Sequence, residues 1–106
     1  MNFTEEEKEA IMWALMVLAD CDGMRNMDEI EKLTDISSFI DFKVSMDRLF
    51  EISKTEPADF FETLRSLTSD KKEFLKFILR ELALIDSEIN KSEIDTMFNI
   101  IYFGKL

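Results

Sequence analysis

Five carboxylates, Asp20, Asp22, Glu29, Asp86 and Glu93, carry whatever site chemistry this chain has. They belong to two copies of one pattern, Asp-x-x-x-Asn-x-x-Glu, each placed after a long apolar run. The first copy runs from Asp22 through Asn26 to Glu29, with Asp20 just ahead of it; the second runs from Asp86 through Asn90 to Glu93. A carboxylate near the C-terminal end of a helix faces the negative end of the dipole and the last unpaired carbonyls, a placement that costs about 0.3–1 kcal/mol. A helix built for stability alone puts lysine or arginine there. Carboxylates grouped beside carbonyl oxygens suit a hard divalent cation, and calcium or magnesium is the chemical preference because every available donor is an oxygen. A purely structural reading competes with this one. Glu29 and Glu93 are capping-box partners for the Asn26 and Asn90 amides, and Asp22 and Asp86 can form Asx-turns that start the next helix. The residues alone leave both readings open.

An EF-hand is not among them. With Gly23 at the loop glycine, Asp20 and Asp22 take the third and fifth places and Glu29 the twelfth, but Leu18 occupies the first. In the second loop Ser87 replaces the glycine, and Leu82 and Leu84 replace the first two ligands.

The elements that position these carboxylates form an internal repeat. Trp13–Ile36 aligns with Phe77–Ile100 at a constant offset of 64, and eight of the 24 positions are identical: Leu15/Leu79, Leu18/Leu82, Ala19/Ala83, Asp22/Asp86, Asn26/Asn90, Glu29/Glu93, Ile30/Ile94 and Ile36/Ile100. Each copy reads as a helix, an acidic loop and a capped helix. Thr4 and Glu7 make a capping box ahead of a helix near Glu5–Asp20, and Glu5, Glu6 and Glu7 favour its first turn. Thr68 or Ser69 caps the counterpart, which runs to about Ile85 and carries Phe74, Leu75, Phe77, Ile78, Leu79 and Leu82 around most of its circumference. Asn26 and Asn90 open the two helices that follow, the last offering Ile94, Met97, Phe98, Ile101 and Tyr102 to the core. Between the copies, Asp41–Val44 forms a loop, Ser45 starts a short helix and Pro57 takes an N1 position. The expected fold is all-α: one domain over residues 1–106, a bundle of about six helices with a pseudo-two-fold repeat.

Composition narrows the function classes. Acids outnumber bases 23 to 13, for a net charge of −10. That balance excludes a phosphate backbone as partner and favours cations or a protein partner with a basic surface. The longest apolar run, Ala10–Ala19, is about half of the ~20 residues a bilayer span requires, so no membrane insertion is expected. Met-Asn-Phe-Thr followed by acids is not a signal peptide, and Cys21 is the single cysteine, which together predict a cytoplasmic protein. There is no histidine, so histidine-based triads and histidine-ligated zinc are excluded. Cys21 lies among acids, which raise a thiol pKa rather than activate it. No nucleophile–base pair or phosphate loop is present, and the expectation is a protein that is not an enzyme. Phe39, Phe42 and Phe103 fit the helical core pattern least well and are candidates for an exposed apolar patch.

An apolar helix ending in Ala-x-x-Asp-Gly, with a glutamate seven residues after the aspartate, resembles the TerB-like tellurite-resistance family. Ala19-Asp20-Cys21-Asp22-Gly23 with Glu29 matches the first motif, and Ala83-Leu84-Ile85-Asp86 with Ile89 and Glu93 the second. The resemblance spans most of the chain and implies an all-helical stress-response or regulatory scaffold with no catalytic activity, whose acidic loop residues bind metal. Two function classes follow. One is a module in which Asp20, Asp22, Glu29, Asp86 and Glu93 hold a divalent cation weakly. The other is an acidic protein-interaction module with no specific metal.

Overall fold

The computed structural model describes residues 2–20, 27–84 and 91–106. They form six helices and, among the described residues, no strand: α1 (Glu5–Asp20), α2 (Met27–Phe39), α3 (Met46–Lys54), α4 (Pro57–Arg65), α5 (Ser69–Ala83) and α6 (Lys91–Gly104). The fold is all-α, as the helical periodicity requires. Its radius of gyration, 12.8 Å, is close to the ~13 Å of a compact domain of about 100 residues.

Local chemistry starts α1, α3, α4 and α5 where the sequence places them, while Asn26 and Asn90, the caps expected for α2 and α6, lie outside the described residues. The Thr4 hydroxyl accepts from the Glu7 amide at 3.1 Å, and the Glu7 carboxylate accepts from the Thr4 amide at 2.8 Å, which closes the capping box. Ser45 accepts from the Arg48 amide ahead of α3, and Thr68 from the Lys71 amide ahead of α5. Pro57 opens α4, where a missing N–H costs nothing.

The repeat extends further in three dimensions than the 24 aligned positions. Helices α1 and α5 begin 64 residues apart, as do α2 and α6, and Thr4 and Thr68 are equivalent caps. The ends match as well. Asp41 has φ 59° and Lys105 φ 53°, the two non-glycine residues in the left-handed region among those described. The Phe42 amide donates to the Ser37 carbonyl at 2.8 Å, and the Leu106 amide to the Ile101 carbonyl at 3.0 Å. The Asp41 and Lys105 amides donate to the Ser38 and Tyr102 carbonyls at 3.2 and 3.3 Å. Both helices therefore end in the same Schellman motif. Burial follows the offset too: Leu15 and Leu79 are fully buried, Ile36 and Ile100 are core residues, and Ile30 and Ile94 are 41% and 37% exposed.

The two halves meet through equivalent residues. The Lys71 ammonium donates to the Glu7 carboxylate at 2.8 Å, with both side chains mostly buried, and these two positions are also 64 apart. Equivalent positions of the two halves thus meet in a single ion pair.

Helix α1 is the centre of the bundle and packs against α2, α4, α5 and α6. That explains why Ala10, Ile11, Met12, Ala14, Leu15, Leu18 and Ala19 are all buried. Its counterpart α5 does not repeat this. It packs against α1 and α6, burying Leu75, Ile78, Leu79, Leu82 and Ala83, while Phe77 stays 57% exposed. The all-round apolar reading of α5 is thus corrected, because α4 covers α1 and has no equivalent over α5. Phe98 and Tyr102, expected in the core, are likewise exposed on α6. Phe42 is corrected in the opposite direction. The Schellman turn folds it back and buries it, with the Arg48 guanidinium 4.0 Å above its ring.

Candidate functional site

Asp22 and Asp86 lie outside the described residues. Asp20 is the last residue of α1 and is exposed. It borders a shallow cavity of about 450 Å³ lined by Trp13, Met16 and Val17 of α1 with Ile52, Thr55 and Pro57 across from them. Glu29 and Glu93 occupy the first turns of α2 and α6 and are buried, with 7% and 8% of their surface exposed. A carboxylate so far removed from water needs a polar partner, and neither lacks one. Their position at helix N-termini also favours negative charge. Among the described residues, no three carboxylate or cysteine side chains come together as a metal-binding group.

The acidic feature that the described residues do assemble lies elsewhere. The N-terminal turn of α1 and the outer face of α4 enclose a cleft of about 450 Å³ lined by Thr4, Glu6, Glu7, Asp59, Glu62, Thr63 and Ser66. Its four carboxylates come from two elements. Glu5, Glu6 and Glu7 cluster because acids suit a helix start, and Asp59 holds the same place in α4. Sequence reading found the acidic first turn of α1 but had no means to see that α4 would lie beside it.

Glu7 is held in place within this cleft. Burial pushes its carboxyl upward, but the Lys71 hydrogen bond, the Thr4 amide, the Lys71 charge and the Thr4 hydroxyl outweigh that, leaving its pKa below the ordinary value. Glu5, fully exposed, is also lowered, first by its hydrogen bond from Lys8 and further by Arg48. A depressed carboxylate stabilises the fold fully above the ordinary carboxylate range, and that contribution is lost as pH falls through the folded-state value. Glu7→Gln keeps the capping box, since glutamine serves in it, but removes the charge facing Lys71. The variant is expected to be about 1 kcal/mol less stable than wild type at pH 7, with the gap closing below about pH 4. Urea unfolding at a series of pH values checks this; a gap that persists unchanged in acid would show that the loss is packing rather than charge.

Aromatic side chains make the second surface. Phe103 is half exposed and touches Phe61 at 5.6 Å and Tyr102 at 5.2 Å, with exposed Phe98 one turn away along α6. Phe39, its equivalent in the first half, is 68% exposed and stacks on Phe74 at 5.3 Å. The expectation of surface positions for Phe39 and Phe103 holds. Sequence reasoning missed Phe77, although Arg80 and Glu81 one turn beyond it, where Trp13 has Met16 and Val17, mark its side of α5 as polar.

No family model and no curated protein matches the chain. Its fold does have a counterpart among solved structures. The crystal structure of a protein of unknown function from Porphyromonas gingivalis W83 superposes with a TM-score of 0.74 at 19% identity, covering 100% of this chain and 87% of that one. The likeness is one of fold. Among the described residues, no helix is long and apolar enough to cross a membrane.

Proposed function

We propose that the protein is a non-catalytic, TerB-like interaction scaffold that docks a basic protein surface in the cleft between α1 and α4. The observation that carries the reading is a cleft in which Glu7 is already paired with Lys71 while three exposed carboxylates, Glu6, Asp59 and Glu62, line the same space without converging as a metal-binding group. Spread in that way, carboxylates suit separate lysine and arginine side chains better than one coordinated ion. The chain's charge of −10 steers such a partner, and Phe103, joined to α4 through Phe61, supplies an apolar anchor.

A second reading rests on the repeat itself. Glu29 and Glu93 are matched, buried carboxylates flanking the two acidic loops, as a duplicated calcium or magnesium site with Asp20, Asp22 and Asp86 would need. One labelled sample tests both. Titrating a lysine-rich peptide is expected to shift the amides of Glu6, Glu7, Asp59 and Glu62, with affinity falling steeply as salt rises. Changing Asp59 and Glu62 together to Asn and Gln is expected to weaken the peptide about tenfold. Salt-independent binding, or shifts elsewhere, defeats the docking reading. Calcium at millimolar concentration that moves Glu29 and Glu93 but not the cleft would establish the second reading instead.

A further inference from the structure

The repeat creates two equivalent grooves, and the chain fills one of them. Helices α1 and α6 form the first, with Trp13 of α1 and Phe103 of α6 in ring contact with its occupant. Helix α4 is seated there. Its Phe60 stacks on Trp13 at 5.0 Å and 18°, Phe61 meets Trp13 edge-on at 5.1 Å, and Phe61 also reaches Phe103 at 5.6 Å. The Arg65 guanidinium donates to the Phe103 carbonyl at 3.2 Å, and Leu64 packs where Gly104 leaves no side chain in its way. Subtracting or adding 64 carries α1 and α6 onto α5 and α2. Ala10, Trp13 and Ala14 become Phe74, Phe77 and Ile78; Ile100 and Phe103 become Ile36 and Phe39. Those residues, with Lys32 and Asp35, line an open groove of about 370 Å³.

The second groove keeps an aromatic ring at the places of Trp13 and Phe103, exchanges the small Ala10 and Ala14 for Phe74, which stacks on Phe39, and Ile78, and has no helix seated in it among the described residues. It differs in charge along the rim. Thr96 of the filled groove corresponds to Lys32, and Met16, just beyond Trp13, corresponds to Arg80. Neither Lys32 nor Arg80 forms an ion pair among the described residues, in a chain where acids outnumber bases.

We propose that the α2–α5 groove binds an amphipathic helix from a partner protein, one carrying adjacent aromatic side chains flanked by carboxylates. The aromatic pair takes the places of Phe60 and Phe61 against Phe77 and Phe39, and the carboxylates meet Lys32 and Arg80. Helix α4 shows the aromatic half of such an occupant in its Phe60–Phe61 pair, whereas its own Asp59 and Glu62 turn to the N-terminal turn of α1. Helix-in-groove recognition of this kind is anchored by a few aromatic side chains that leave water on docking. The groove shares no lining residue with the acidic cleft, so the two assignments stand or fall separately.

The probe is a synthetic peptide covering residues 55–67 of this chain, titrated into the isotopically labelled full-length protein. Saturable shifts are expected at Lys32, Asp35, Phe39, Phe74 and Phe77, with a dissociation constant on the order of 1 mM for so short a helix. Phe77→Ala, at an exposed position that leaves the fold intact, is expected to weaken binding about tenfold. Phe77→Trp, which restores the residue found at position 13, strengthens it. Lys32→Glu with Arg80→Glu weakens it, while Tyr102→Ala on the other face changes nothing. The proposal is overturned if the groove does not respond. It is equally overturned if peptide shifts appear only around Trp13 and Phe103, which would mean displacement of the resident α4. Groove shifts that grow with protein concentration in the absence of peptide would assign the surface to a second copy of the chain and overturn it as well.

Discussion

Leu15→Ala and Leu79→Ala are each expected to lower the free energy of unfolding by about 3–5 kcal/mol, the range for a fully buried leucine whose cavity collapses only in part. The two leucines occupy equivalent positions in the repeat, so side-chain chemistry is identical and the surroundings decide any difference. Leu15 lies on α1, which is packed by α2, α4, α5 and α6, and its neighbours have little freedom to close a hole. Leu79 lies on α5, which packs mainly against α1 and α6 and has an open groove on the side towards α2. Leu15→Ala should therefore sit at the upper end of the range and Leu79→Ala at the lower. With about 4–8 °C lost per kcal/mol in a domain of this size, either variant melts at least ~12 °C below wild type. Denaturant and thermal unfolding of both variants check the result. A loss under about 1 kcal/mol at either position would mean that the two apolar helices are not jointly the core.

Trp13→Ala and Phe77→Ala test the opposite property, the place where the repeat breaks. They are equivalent in register and both aromatic, yet Trp13 holds the Phe60 and Phe61 rings of α4 while Phe77 faces solvent. Removing Trp13 takes away two ring contacts and the surface on which α4 rests, at an expected cost of about 3 kcal/mol. Removing Phe77 should change stability by no more than about 0.5 kcal/mol, because little of its side chain leaves water on folding. The difference between the two variants is the informative quantity. Equal losses would show that α5 is covered in solution as α1 is. A loss confined to Trp13, together with selective opening of α4 by amide exchange, would confirm that α4 depends on that one groove.

Much of the candidate site was legible before the structure, though unevenly. The Thr4–Glu7 capping box, the acidic first turn of α1 and the surface placement of Phe39 and Phe103 all followed from spacing and residue type. Glu29 and Glu93 were correctly placed in the first turns of α2 and α6, but their near-complete burial had no sequence signal, since a capping glutamate at a helix start is usually wet. The acidic cleft was invisible because Asp59 and Glu62 reach Glu6 and Glu7 through packing of helices more than fifty residues apart.

Helix positions, caps and the repeat depend on interactions within about four residues, and those are written directly in the order of side chains. The Schellman ends at Asp41 and Lys105 were an exception, because neither position carries the glycine that normally announces a left-handed cap. Which face of a helix is dry is only partly written there. Helices α1 and α5 share part of an apolar register, but Arg80 and Glu81 stand one turn beyond Phe77 where α1 has Met16 and Val17 beyond Trp13, so the sequence already marks the Phe77 side as the wetter one. The cover over Trp13 comes from α4, a segment outside the repeat that can lie in only one of the two grooves. The same holds for the Glu7–Lys71 pair, whose charges meet only because α1 and α5 pack against each other. Local sequence thus determined two equivalent halves, and long-range packing decided that one of them is covered and the other left open.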